Sequence, residues 1–381
     1  MSENAVHLRI LQFSDLHLDA PFDGLTEDKS AQAREGLRAA FDGMMSKIKE
    51  CDVRLVLIPG DLFDNRFVTN GTAEMLIREM RSCPETTFVI APGKADLYAE
   101  NPIYASGRLP ENCRVFSGPM LSSIDLDEFR VTVYGWAYHP DLHGECPLRD
   151  RHVENSSRIN IVCAYADLDG NVDGDECLVS SDDLKAFGAD FYAFGSRHDA
   201  NTFSTVGSAV YAYSGAPTST GFDNVGKGDP NYILIDLEDG NISINLKPIP
   251  YEGLRLYHEE LDITGVDTKS EIINRMAGLI NEKHYGAKSA IRLSLVGNVD
   301  PHFAVPQNFE SETFGLFFFR VEDKTLPLYG TEHFERDMTA AGEIYRKLLP
   351  YMKSENEEER LVSARAFRVA LLTLEGKNTE L

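Results

Sequence analysis

Short apolar runs rich in Val, Ile, Leu and Phe alternate with longer amphipathic stretches through the first 250 residues. LRILQFSD leads into a helical pattern over about residues 31–49, then VRLVLIPGD, a helix over about 71–81, and TTFVIAPG. VTVYGWAY, INIVCAYA, DFYAFGS, AVYAYSG and NYILIDL read as further strands. Buried strands punctuated by Gly, Pro and Asp, with helices between them, predict an α/β domain over residues 1–250.

The pattern changes near Tyr251. LRLYHEELDI, a helix over about 269–283, AIRLSLVG and GLFFFRVED predict a small α+β unit over residues 251–330. Two helices follow over 331–381. Met338, Ala341, Ile344, Tyr345, Leu348 and Met352 fall at helical spacing, as do Leu361, Ala364, Phe367, Leu371 and Leu374. The intervening ENEEER reads as a turn and helix start.

Composition narrows the partners. The 381 residues carry a formal charge of −24, concentrated before residue 250, so the phosphate backbone of bare DNA is repelled and direct binding to it is expected to be weak or absent. Neither a long apolar run nor a leader pattern is present, which predicts a cytoplasmic protein without a membrane partner. Six scattered cysteines, none in a CxxC pair, suggest neither a disulfide framework nor a zinc knuckle.

Chemistry-bearing residues sit just past the predicted strands. Asp15 and His17 in FSDLHLD, two apart at a strand end, are expected on one side of the chain, where they can share a cation. Asp61 in IPGDLFD offers a carboxylate able to bridge two ions, with Asp64 placed to orient its loop. His198 closes the set in FGSRHD. DxH alone is a weak signal; DxH, GDxxD and GxxH, each after a strand, form a strong one. The alternative is a group of strand-end hydrogen bonds with no metal.

This combination resembles the calcineurin-like metallophosphoesterases, whose blocks run DxH, GDxxD, GNHD or GNHE, a lone histidine, and GHxH. DLHLDAPFDGL, LIPGDLFD and SGAPTSTGFD are similar to the bacterial DNA-repair exonuclease branch, the SbcD-like nuclease subunits. The resemblance implies a four-layer β-sandwich flanked by helices, a small α+β cap and C-terminal helices. It also implies that Asp15, His17, Asp61 and His198 hold one ion, with manganese, iron or zinc suiting the mixed ligands better than magnesium or calcium.

The family's second ion needs groups this chain lacks. Lys94, Tyr165 and Ser196 stand at three of its four ligand positions, and Ala95 replaces the histidine that assists the leaving group. A second metal is therefore not expected, and phosphodiesterase activity is expected to be lost or strongly reduced, leaving a binding or regulatory subunit. The alternative is a hydrolase that works with one ion on a nucleotide or other small phosphoester. Asp96, two residues past Lys94, is a supporting carboxylate. Lys94 is either a partial electrostatic replacement for the missing ion, near Asp61, or an ordinary loop lysine. In the nuclease family the C-terminal helices would join an SMC-like ATPase.

Other motifs read more plainly. DGNVDGDECLVS spaces Asp169, Asn171, Asp173 and Gly174 as a calcium loop does, but Ser180 replaces the closing glutamate, so an acidic turn is expected. GKG at 226–228 is a turn without phosphate-loop spacing. His139 and His143 lie in a loop and are not expected to be ligands.

Overall fold

The computed structural model describes residues 7–101, 103–142, 145–170, 177–198, 203–223, 231–238, 241–300, 302–327 and 331–376. Asn171, Asp173 and Gly174, the 226–228 turn and His143 lie outside them. The chain divides into two compact units, 1–253 and 254–381.

The first unit opens with β1 (His7–Gln12), α1 (Glu27–Glu50), β2 (Leu55–Ile58), α2 (Asn70–Arg81), β3 (Thr87–Ile90) and β4 (Cys113–Val115). There follow β5 (Ser122–Leu126), β6 (Val131–Gly135), β7 (Ile159–Tyr165), the short pair β8 (Asp167–Leu168) and β9 (Leu178–Val179), α3 (Ser181–Phe187), and β10 (Phe191–Gly195). β11 (Phe203–Val206), β12 (Ala209–Tyr213), β13 (Asn231–Glu238) and β14 (Asn241–Pro248) complete it. One six-stranded sheet has the order β14-β13-β1-β2-β3-β4, and the other β11-β12-β10-β7-β6-β5. β1 to β4 run parallel, as do β6, β7, β10 and β12.

Strand alternation explains the layers. Leu8, Ile10, Leu55, Leu57 and Val89 meet Val131, Val133, Ile161, Cys163 and Phe191 in a core between the two sheets. The alternate residues Leu11, Val56, Ile58, Phe88 and Ile90 are equally buried on the opposite face, where Phe13 meets Phe41 of α1 edge-on. On the outer face of the second sheet, Val162, Ala164, Tyr192 and Phe194 pack with Leu184 and Phe187 of α3. Strands apolar on both faces are what a doubly covered, largely parallel sheet requires. This is the four-layer architecture expected from the sequence.

The second unit contains β15 (Arg255–Asp262), α4 (Lys269–Glu282), β16 (Ser289–Val296), β17 (Asn298–Val299), β18 (Phe318–Asp323), β19 (Leu326–Pro327), α5 (Thr331–Arg336), α6 (Ala340–Met352) and α7 (Glu357–Leu374). β15, β16 and β18 form a parallel sheet, covered by Ile272, Met276 and Ile280 of α4. Phe334, Tyr345, Phe367 and Leu371 knit the last three helices together, so the two predicted stripes are largely spent on each other. Arg368 of α7 ties them to the sheet part through Asp323 at 3.1 Å, Thr325 at 2.7 Å and the Phe303 carbonyl at 2.8 Å. Met338 and Leu374, read as members of the stripes, are instead exposed.

Three expectations change. α1 begins at Glu27, a turn earlier than the apolar periodicity suggested. β14 went unread because its apolar residues alternate with Asn and Ser in an edge strand exposed on one side. α3 was also missed: Ser180, read against a calcium loop, is its N-cap and forms a reciprocal capping box with Asp183. Asp169 accepts from the Ser181 amide at 2.9 Å, at the start of that helix.

Candidate metal centre

Parallel strands β1, β2, β3, β7 and β10 all deliver their C-terminal ends to one edge of the sandwich, a common place for sites in α/β folds. After β1 the chain keeps bonding to the loop after β2: Asp15 N donates to Gly60 O at 3.1 Å, His17 N to Asp61 O at 3.0 Å and Leu18 N to Leu62 O at 3.1 Å. The two motifs therefore lie side by side. The second sheet is joined to them by Gln12, whose side-chain amide donates to the carbonyls of Phe194 and Ala212, and by the Ser14 amide donating to Ser214 Oγ at 2.9 Å.

Asp15, His17, Asp61 and His198 converge so that one donor atom from each lies within 4.8 Å of the others. His17 Nε2 and His198 Nε2 are 3.1 Å apart. His17 Nε2 is 3.6 Å from Asp61 Oδ2, and His198 Nε2 is 3.8 Å from Asp15 Oδ1. Two imidazole nitrogens and two carboxylate oxygens aimed at one point fit a divalent transition ion. Strand alternation is not what aligns them, contrary to the expectation. β1 stops at Gln12, and Asp15 (φ 55°), His17 (φ 46°) and Asp61 (φ 52°) all occupy the left-handed region. Asp and His tolerate that region better than most residues, yet holding three there costs on the order of 1 kcal/mol or more each.

Burial sets the electrostatics. It raises the pKa of Asp15, against the pull of His198, the Ser14 hydroxyl and the Ser196 amide. Asp61 is pushed well up by burial and by the neighbouring charges of Asp96 and Asp15, and is partly relieved by the Ala95 amide and the Tyr165 hydroxyl. His17 is driven down to about 3 by burial and by His198, which keeps its imidazole neutral and available as a ligand. A cation held by these carboxylates would favour their ionised forms.

Around Asp61 the remaining motif residues take distinct places. Ala95 contributes its backbone amide to Asp61 Oδ1 at 2.8 Å. Tyr165, at the end of β7, is buried edge-on against Tyr138 with ring centroids 5.5 Å apart, and its hydroxyl hydrogen-bonds the Asp61 carboxylate. Its ring fills the space beside Gly60 and Gly93: a Cβ at Gly60 would lie 2.5 Å from Tyr165 Cδ2, and one at Gly93 would lie 2.7 Å from it and also collide with Asp61 Oδ1. Ser196 turns its hydroxyl to the Ala166 carbonyl at 3.1 Å and its amide to Asp15 at 3.2 Å. Lys94 is exposed in its turn.

The supporting carboxylates prove specific. Asp96 is fully buried and accepts from the amides of Asp61 (3.1 Å), Leu62 (3.1 Å) and Gly93 (2.6 Å) and from the Tyr104 hydroxyl (2.6 Å). Burial nonetheless lifts its pKa to about 6. Asp64 accepts from the Arg66 amide at 3.3 Å within its own loop. His139 caps the Asp141 amide at 3.2 Å and is not part of the cluster. Sequence reasoning missed Tyr104, Ser214 and Asp19. Asp19, inside the DLHLD run, bridges Arg38 at 2.7 Å and the Thr69 amide at 2.8 Å, and its place two residues after His17 was the available signal.

A comparison with curated proteins found no match. Among solved structures the chain is similar to a purple acid phosphatase from yellow lupin seeds, at 11% identity and TM-score 0.41, covering 64% of this chain and 51% of that one. It spans about half the length of that lupin enzyme. It is also similar to the calcineurin-like phosphoesterase YfkN of Bacillus subtilis (13% identity, TM-score 0.34, 74% of this chain and 97% of that one) and to vacuolar protein sorting 29 of Cryptosporidium parvum (13%, 0.32, 64% and 97%). The model of the calcineurin-like phosphoesterase family matches residues 8–200, just over half of the sequence and the whole span that carries the four convergent side chains. The chain belongs to the calcineurin-like phosphoesterase family.

Proposed function

We propose that this chain is a DNA-repair-exonuclease-like (SbcD-like) member of the family that holds one divalent transition ion, manganese, iron or zinc, and has lost all or most phosphodiester hydrolysis. It then serves as a binding or regulatory subunit. The observation that carries this reading is Tyr165: its hydroxyl sits on the Asp61 carboxylate and its ring takes the room beside Gly60 and Gly93.

Asp15, His17, Asp61 and His198 fit one ion, which when bound would supply a Lewis-acidic centre and an activated water. A second ion does not fit these residues. Beyond Asp61, the family's positions offer a phenol already engaged with Asp61, a hydroxyl turned to Ala166 O, and an exposed lysine. The methyl group of Ala95 can transfer no proton to a leaving group. Removing one ion and the acid together takes away several kcal/mol of transition-state stabilisation, and each 1.36 kcal/mol is about tenfold in rate.

The test is hydrolysis of bis-p-nitrophenyl phosphate and of linear DNA by purified protein with added manganese, alongside metal analysis. One ion per chain and no turnover are expected. Turnover of about 1 to 1,000 per second, abolished by His17→Ala, would overturn the loss of chemistry and favour the one-ion hydrolase. The same proposal includes an SMC-like ATPase partner on the C-terminal helices. Between them, α6 and α7 leave Tyr351, Val362 and Leu374 exposed, with Met338 just before α6. Co-purification that survives Val362→Glu and Tyr351→Glu would remove that surface from consideration.

A further inference from the structure

A cleft of about 630 Å³ lies between α1 and the start of α2, lined in part by Asp19, Arg34, Arg38, Phe67, Gly71 and Thr72. Its size is that of a small-molecule site. Arg34 and Arg38, one helical turn apart on α1, both face it. Arg38 spends one guanidinium nitrogen on the buried Asp19 at 2.7 Å, which fixes the side chain in place. Arg34 is only 19% exposed at its side chain and pairs through one nitrogen with Glu27, itself 85% exposed, at 2.5 Å. Each guanidinium has five N–H donors, so both retain donors for a further acceptor. A pair held to a solvated carboxylate also exchanges readily for a better anion.

Two more features share the cleft. The first turn of α2 carries no acidic residue, and the Gly71 amide has no hydrogen-bond acceptor among the described residues. Phe67 is 48% exposed at the same opening, an apolar ring about half open to solvent in the loop that follows Asp61 and Asp64. In a chain of net charge −24, a cleft with two arginines against two carboxylates is a place where a phosphate meets comparatively little repulsion.

We infer that this cleft binds a phosphorylated small molecule of nucleotide size, its phosphate on Arg34 and Arg38 and its ring against Phe67. Arginine forks match phosphate oxygens in pairs, and an aromatic face accepts a planar base. The site is separate from the four metal ligands and does not depend on whether hydrolysis survives.

Calorimetric titration of chelator-treated protein with AMP, inorganic phosphate and adenosine tests this, because the metal-free cluster presents carboxylates and does not attract phosphate. AMP is expected to bind, more tightly than either fragment. Arg34→Gln should weaken AMP about tenfold or more, the loss of one charge-assisted pair, and its partner among the described residues is an exposed glutamate, so folding should be intact. Phe67→Ala should weaken AMP while leaving phosphate unchanged. Glu27→Gln should tighten AMP by freeing Arg34, and His17→Ala should have no effect. Absence of AMP binding, or binding that Arg34→Gln and Glu27→Gln leave unaltered, would overturn the inference while leaving the metal-centre reading untouched.

Discussion

Asp61 sits where burial, two neighbouring carboxylates and the Tyr165 hydroxyl compete for one side chain. Burial holds the pKa values of Asp61 and Asp15 up, joined at Asp61 by the charges of Asp96 and Asp15 and opposed at Asp15 by His198, so without a cation the cluster keeps its protons to higher pH. Cation binding favours the ionised forms and expels them. Apparent metal affinity is therefore expected to rise with pH, with proton release on binding, detectable as a dependence of calorimetric heat on buffer ionisation enthalpy. Heats independent of buffer would contradict it. Tyr165 invites a second test: Tyr165→Phe removes the hydroxyl but keeps the ring, so metal analysis should still give one ion per chain. Restoring Asn, His, His and His at Lys94, Ala95, Tyr165 and Ser196 together is expected to raise both stoichiometry and turnover. The single changes are expected to do neither, since groups that act as a unit are strongly non-additive.

At the level of elements, the loops after β2 and β3 are held by one buried carboxylate. Asp96→Ala leaves the amides of Asp61, Leu62 and Gly93 and the Tyr104 hydroxyl without their acceptor. At about 1–3 kcal/mol per unsatisfied buried group, the loss should exceed about 3 kcal/mol in urea unfolding. The pH sign is also fixed. The folded pKa of Asp96, about 6, lies above its ordinary 3.8, so the folded state binds the proton more tightly between those values. Its contribution is fully present below the ordinary value and is lost as pH rises through about 6. Gly93→Ala acts on the same junction from the other side, its Cβ meeting Asp61 and Tyr165. Overpacking of about 1–3 kcal/mol, together with weakened metal uptake, is expected from thermal melts and equilibrium dialysis.

For the whole molecule, the candidate metal residues belong to one compact unit and the C-terminal helices to the other. Phe367→Ala, in the cluster with Phe334 and Tyr345, should cost about 3–5 kcal/mol within 254–381. Metal binding by the first unit should persist, as metal analysis of the purified variant will show. Among the described residues no helix is long and apolar enough to cross a membrane.

The apolar runs alone determined most of the strands and the larger helices, because buried strands in a doubly covered sheet are apolar on both faces and stand out from any surface segment. Motif spacing likewise picked out the four side chains that converge as a candidate metal site, since DxH, GDxxD and GxxH each follow a strand that must end at the same edge. Tertiary structure decided the rest. That Asp15, His17 and Asp61 meet through left-handed backbone rather than strand alternation depends on the loops after β1 and β2 bonding to each other. That Asp96 clamps three amides, and that the Tyr165 hydroxyl reaches Asp61, depends on residues 35 and 104 positions from Asp61 being brought to one edge. The edge strand β14 and the capped helix α3 escaped notice because a half-exposed strand and a helix of seven residues bury too little apolar surface to mark the sequence. Local pattern records what each segment buries; which side chains face one another is set by the packing of the two sheets.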